Sequence, residues 1–161
     1  MCWQWMQKRE YQHFSKKENL SGKIDKKMIS TKEILSKYKS IALIGASKDL
    51  KKTSTVVMKY LQEYGFKVYP VNPSIKDEKI LNENVYEKIS DIKKPIEIVN
   101  VFRPSNEVVE IAKDAVKVGA KVLWLQLDIS NNKAREIVEA NNIFYIENKC
   151  TKIEFEKFLK K

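Results

Sequence analysis

Three places in this 161-residue chain combine residue types suited to holding an anion or presenting a thiol. The first is Gly45, Ala46, Ser47 and Lys48, which end a short apolar run from Ile41 to Ile44 and precede Lys51 and Lys52. Thr53 or Ser54 is placed to cap a helix that continues through Val56, Val57, Tyr60 and Leu61. Strand, glycine turn and helix form the opening of a nucleotide-binding α/β unit. The first helical turn offers free N–H groups and a partial positive charge, which attract phosphate. Gly45 lets the backbone approach such an anion with no Cβ in the way. A tight strand-to-helix turn without a ligand fits the same residues, and the pattern alone leaves both readings open. The second place is Arg103, one of three arginines in a lysine-rich chain, fixed by Pro104 at the end of another apolar run. A planar guanidinium there suits bidentate phosphate binding, or else a surface ion pair with the helix that follows. The third is Cys150, beside Lys149 and Lys152, whose charges favour thiolate; a buried structural thiol is the alternative.

What the chain lacks narrows the chemistry. A dinucleotide fingerprint reads G-x-G-x-x-G, with an acid about 20 residues on at the end of the second strand. Here Ser47 and Leu50 stand at the second and third glycine positions. The second strand ends in Val71, Asn72 and Pro73, with no carboxylate to hold a ribose hydroxyl. No G-x-x-x-x-G-K-[ST] loop is present, and the one histidine, His13, lies near the start of the chain. No paired carboxylates stand at matching strand ends; Asp128 is the only acid there, and it is expected to cap a helix or face water. No metal-ligand set and no catalytic residue emerge. The site reads as one that holds a nucleotide rather than transforms it.

Composition sets the frame. The length fits one domain with a tail, and a hydrophobic fraction of 43% suffices for a packed core. No apolar run approaches the roughly 20 residues of a membrane span. The net charge of +10 comes from scattered lysines, which read as a solvated surface or as suited to an anionic ligand. No nucleic-acid-binding motif accompanies it. Cys2 and Cys150 lie at opposite ends, which is no disulfide framework and implies a reducing, cytoplasmic setting, with an organellar one left open. Residues 1–30 are polar and basic, without sustained period or signal-peptide core, and are expected to form a flexible extension. Residues 31–161 form the domain.

Beyond residue 31 strand and helix patterns alternate. The expected order is a helix over Lys32–Tyr38, a strand over Ile41–Ile44, a helix over Thr53–Tyr64 closed by Gly65, and a strand over Phe66–Val71. A long connection over 74–92 follows, packed through Ile80, Val85 and Tyr86, with a brief helix near Ile89. A strand over Ile96–Val101 leads to a helix opened by Pro104-Ser105, whose inner face carries Val108, Val109, Ile111, Ala112, Ala115 and Val116. Strand Lys121–Leu125, helix Asn131–Asn141, strand Ile143–Ile146 and helix Lys152–Leu159 complete it. Alternation implies parallel pairing, and near-continuous apolar strands imply a sheet covered on both faces. The fold class is therefore α/β: a doubly wound, mostly parallel five-stranded sheet with helices on both faces. Ligands in such sheets sit beyond the carboxyl ends of the strands, at the switch point. Those ends are Gly45-Ala46-Ser47, Val71-Asn72-Pro73, Phe102-Arg103-Pro104, Gln126-Leu127-Asp128 and Asn148-Lys149-Cys150.

These segments resemble one family, the small CoA-binding-domain proteins related to the N-terminal domain of the succinyl-CoA synthetase α subunit. The resemblance rests on IALIGASKDLKKTSTVVMKYLQEYGFKVYPVNP, IVNVFRPSNEV, GAKVLWLQLDI and NKCTKIEF, in family order from about residue 36 to residue 158. It implies a Rossmann-type fold that binds coenzyme A or an acyl-CoA. It also implies that Gly45, Ala46, Ser47 and Lys48 line the phosphates and that Val71, Asn72 and Pro73 flank the nucleoside. Phe102 and Arg103 would face the pyrophosphate and pantetheine arm, with Gln126 and Cys150 towards the thiol. The chain departs from the family at Asp128, where members commonly carry glycine, and at Lys149-Cys150-Thr151-Lys152, where they often read R-C-P-K. The ligase partner domains are absent from this sequence, so the resemblance implies CoA binding and not ligation. Two other readings use the same fold: an NAD(P)-dependent oxidoreductase, and a nucleotide-responsive redox sensor, which would need a DNA-binding domain.

Overall fold

A computed structural model describes residues 28–160. The extension over 1–27, with Cys2 and His13, and the terminal Lys161 lie outside the described residues. Helix α1 (Thr31–Lys37) starts on a capping box in which Ser30 and Glu33 satisfy each other's backbone N–H groups. Strand β1 (Ser40–Ile44), helix α2 (Thr53–Glu63) and strand β2 (Lys67–Val71) follow. Two short strands, β3 (Lys79–Ile80) and β4 (Glu83–Asn84), pair as an antiparallel hairpin. The chain returns through β5 (Ile98–Val101), α3 (Val108–Lys117), β6 (Val122–Leu125), α4 (Asn132–Ala140), β7 (Phe144–Ile146) and α5 (Thr151–Leu159).

The main sheet is parallel throughout, in the order β2-β1-β5-β6-β7. The chain winds from β1 out to β2, crosses back, and continues on the other side through β5. The strand order therefore reverses between β1 and β5, which is the switch point of a Rossmann-like doubly wound fold. Successive side chains alternate faces. Ala42, Ile44, Val99, Val101, Leu123 and Leu125 pack under α3 and α4. Ile41, Leu43, Val68, Ile98, Val122 and Trp124 pack under α1, α2 and α5. Among the described residues no helix is long and apolar enough to cross a membrane.

The expected elements form, with differences that have local causes. Strand β5 begins at Ile98, not Ile96, because Glu97 is engaged with Ser40: its N–H donates to the Ser40 carbonyl and hydroxyl, and its carboxylate accepts from the Lys39 and Ser40 N–H groups. Helix α2 has Lys52 at its N-cap with no side-chain cap, so neither Thr53 nor Ser54 caps it. Helix α3 is preceded by a 3₁₀ turn over Ser105–Glu107 after Pro104. Asn131, not Asp128, caps α4 by accepting from the Ala134 N–H. Asp128 instead takes the left-handed conformation, φ 65°, at the position where the resembling family carries glycine; aspartate tolerates it better than most residues. The β3–β4 hairpin has no N-G or D-G signal, yet Leu81 and Asn82 both take positive φ, as a two-residue primed turn requires.

Glu154 ties the first helix to the last. Glu154 is 8% exposed, and its carboxylate accepts from the Thr31 hydroxyl at 2.9 Å and from Lys157 at 2.7 Å. Burial works to raise its pKa, but the hydrogen bonds from Lys157 and Thr31 prevail and the value lies below the ordinary one. The stabilisation is therefore present at neutral pH and is lost as pH falls through the depressed value. Glu154→Gln is expected to lower stability by about 1.5 kcal/mol at pH 7. The gap from wild type should close on acidification, as urea titrations at pH 7 and pH 3 would show.

Candidate functional site

Gly45 stands where β1, β2 and β5 end together. Its φ is +88°, and a Cβ built there would lie 2.7 Å from the Phe102 carbonyl oxygen and 3.0 Å from the Arg103 Cδ. No real side chain tolerates such a separation, so glycine is needed for both its conformation and its volume. The stem of Arg103 thus lies across the floor that Gly45 leaves open. The Gly45 and Ala46 N–H groups both donate to the Val71 carbonyl, extending the β1–β2 ladder by a turn. Those two amides are committed. The Ser47 and Lys48 amides make no hydrogen bond within the described residues, and they lead into the uncapped start of α2. Thr55 ties loop to helix by donating its hydroxyl to the Ser47 carbonyl at 2.7 Å. Asp49 stiffens the turn, its N–H donating to the Ser47 hydroxyl and its carboxylate accepting from the Lys51 N–H.

Asn72 clasps the opposite side. Its Nδ2 donates to the Ala46 carbonyl at 2.8 Å, and its Oδ1 accepts from the Ser74 N–H at 2.9 Å. Both ends of this amide are spent on shape. Beside it opens a cleft of about 330 Å³, with an apolar floor of Ile44, Val71, Ile89 and Ile111. That volume falls at the lower end of small-molecule sites. Of the residues expected from sequence, Gly45, Val71, Asn72, Pro73 and Arg103 line this cleft. Glu87, Lys88, Glu107 and Asp114 also line it and were not anticipated. Of these, only Glu107 carried a signal, its spacing of four from Arg103.

Arg103 is paired. Its Nε and Nη2 donate to the two carboxylate oxygens of Glu107 at 2.8 and 2.7 Å. Hydrogen bonding from Arg103 holds the Glu107 carboxyl below its ordinary pKa. The second basic member of the set, Lys48, is paired with Glu78 on the arm leading to the hairpin. Both candidate phosphate-binding cations thus already have carboxylate partners.

The remaining residues fall on the other face of the sheet. Phe102 and Ala46 pack with Trp124 and Cys150. Gln126 is buried, its Nε2 donating to the Asn100 Oδ1 at 2.5 Å and the Thr151 hydroxyl at 3.1 Å. Trp124 donates through Nε1 to the Lys149 carbonyl at 2.7 Å. Cys150, 7% exposed, precedes α5 at its N-cap. The structure therefore brings Gly45, Val71, Asn72, Pro73 and Arg103 to one cleft, while Ala46, Ser47 and Lys48 do not line it. It sets Phe102, Gln126 and Cys150 across the strand ends from it. Among the described residues no cluster of His, Cys, Asp or Glu is arranged to hold a metal.

The CoA binding domain, as a sequence family, matches residues 39–156. This chain belongs to that family. An uncharacterised Bacillus subtilis protein, YneT, is 34% identical over 122 residues, covering 76% of this chain and 89% of that one. An ADP-forming acetate–CoA ligase of Methanocaldococcus jannaschii is 30% identical over 120 residues, but the match spans only 17% of the ligase. Among solved structures, a hypothetical protein of Pyrococcus horikoshii superposes with a TM-score of 0.77 at 35% identity, covering 89% of this chain and 98% of that one. The CoA-binding-domain family thus includes proteins of about this size, and its sequence recurs within much larger acetate–CoA ligases.

The Gly45 contact gives a direct test. Gly45→Ala forces a Cβ against the Phe102 carbonyl in a conformation costing L-residues about 1–2 kcal/mol before any clash. A stability loss of at least roughly 2 kcal/mol is expected by chemical denaturation. A neutral substitution would show that the β1 and β5 ends are not held this closely.

Proposed function

We propose that this protein is a stand-alone binder of CoA or acyl-CoA, in a reducing cytoplasmic setting, whose role is to bind rather than to catalyse. The observation that carries this reading is the Arg103 stem crossing the Gly45 floor, in the cleft that Val71, Asn72 and Pro73 also line. A pyrophosphate is the group that best matches a planar donor fork together with free amides that lead into a helix. With the Gly45 and Ala46 amides spent, the phosphates fall to Ser47, Lys48 and the first turn of α2. Val71, Asn72 and Pro73 flank the nucleoside in the apolar cleft. The arm then crosses the strand ends past Phe102 towards Gln126 and Cys150. Asn72 and Pro73 stand where a dinucleotide site needs a carboxylate, which favours CoA over NAD. Bound CoA supplies a thiol carrier; the protein's part is to hold and orient it.

Thermal-shift measurements with CoA, acetyl-CoA, NADH and NADPH test the reading. A ligand at 100 times its Kd stabilises by about 2.7 kcal/mol, and CoA or acetyl-CoA should do so where the nicotinamide nucleotides do not. Selective stabilisation by NADPH would overturn it. In titration calorimetry Arg103→Ala should weaken CoA binding about ten- to hundredfold, and Arg103→Lys should restore only part. Cys150 bears on the thiol end. Because its side chain is nearly covered, a mixed disulfide with oxidised CoA should form slowly in Cys2→Ser protein and not at all in the Cys2→Ser/Cys150→Ser pair, as intact-mass spectrometry would record.

A further inference from the structure

Glu107 sits on the rim of a cleft assigned to an anion, where a bare carboxylate should repel the ligand. Its placement against Arg103 gives it another role. A guanidinium has two usable edges: one formed by Nε with one terminal nitrogen, the other by the two terminal nitrogens. Glu107 occupies the first, bonding Nε and Nη2 with one oxygen each. The Nη1 group and the second N–H of Nη2 make no hydrogen bond within the described residues. The side chain is constrained at three points: its stem crosses Gly45, the chain after it is fixed by Pro104, and its inner edge is gripped from the turn that opens α3. One long, flexible side chain is thereby held with an entire donor edge to spare.

We propose that Glu107 is the positioning residue of the phosphate site, orienting Arg103 so that its terminal edge meets a phosphate group. This rests on the reading of the cleft as the site for CoA. Glu107 touches no ligand in this scheme. It neutralises part of the guanidinium charge, yet removes the rotamer freedom that binding would otherwise have to quench. The pair is exposed, 46% for Arg103 and 42% for Glu107, and such pairs contribute little to stability. Its effect should therefore appear in ligand affinity and not in the folding equilibrium.

The test compares CoA titrations of wild type, Glu107→Gln, Glu107→Asp, Arg103→Lys and the Arg103→Lys/Glu107→Gln pair. Immobilising one long side chain costs about 0.5–1.5 kcal/mol, so Glu107→Gln should weaken CoA binding roughly two- to tenfold with an unchanged melting temperature. Glu107→Asp, which keeps the carboxylate, should recover part. On the Arg103→Lys background, which has no fork to orient, Glu107→Gln should have no further effect. The Arg103 Nε–H resonance, assigned by its loss in Arg103→Lys, should shift in Glu107→Gln. Tighter CoA binding by Glu107→Gln would make Glu107 a competitor of the phosphate and overturn the proposal. So would equal affinity, or an equal loss on both backgrounds. Failure of wild type itself to bind CoA would instead overturn the reading of the cleft, and the two failures are distinguishable in one data set.

Discussion

The missing side chain at Gly45 is the constraint on which the site depends. The Phe102 carbonyl and the Arg103 stem occupy the space that any Cβ would need. Because β1 and β5 are neighbours in a parallel sheet, their carboxyl ends emerge side by side. Only there does the chain order reverse and leave a gap between the helices that cover the two faces. Closing that gap to contact distance, while leaving a cleft next to it, requires a residue with neither bulk nor a preference against positive φ. The turn after β1, the placing of Arg103 and the floor of the cleft all follow from that one approach.

The two faces of the sheet divide the work. On the α3 and α4 side, Ile44, Val71 and Ile111 give the cleft its apolar floor, and Arg103 and Glu107 rim it. On the α5 side, Asn100, Gln126 and Thr151 form a buried polar knot that fixes the start of α5 against the ends of β5 and β6. Such a knot is costly when partly satisfied and rigid when complete. Here every buried side-chain nitrogen and oxygen among the described residues has a partner. The rigidity fixes the position of Cys150 relative to the cleft, although the two lie on opposite sides of the strand ends.

Much of the charge around the strand ends is arranged in pairs. Arg103 with Glu107, Lys48 with Glu78 and Lys76 with Glu87 set cations and carboxylates together around the strand ends. The net charge of +10 is thus a poor guide to the local field, because carboxylates stand beside several of these cations, while Lys88 lines the cleft without an ion pair among the described residues.

The element order, the parallel sheet and Gly45 were legible in the chain, because period, punctuation and a lone glycine after an apolar run are local signals. The family motifs were legible for the same reason: each is a contiguous stretch. Less visible was how the strand ends divide between the two faces. Spacing places Arg103, Gln126 and Cys150 at strand ends, but the side from which each emerges depends on the pleat and on which helix covers it. The tertiary structure decided that Gln126 turns into a buried knot and that Cys150 packs beside Trp124. It also decided that the Gly45 and Ala46 amides are spent on Val71. The Leu81–Asn82 turn and the bond between Glu97 and Ser40 escaped notice because each is fixed by a partner distant in sequence or by a backbone shape its residue types do not demand. Residue type sets which bonds a group can form; only the packed chain settles which partner arrives within reach.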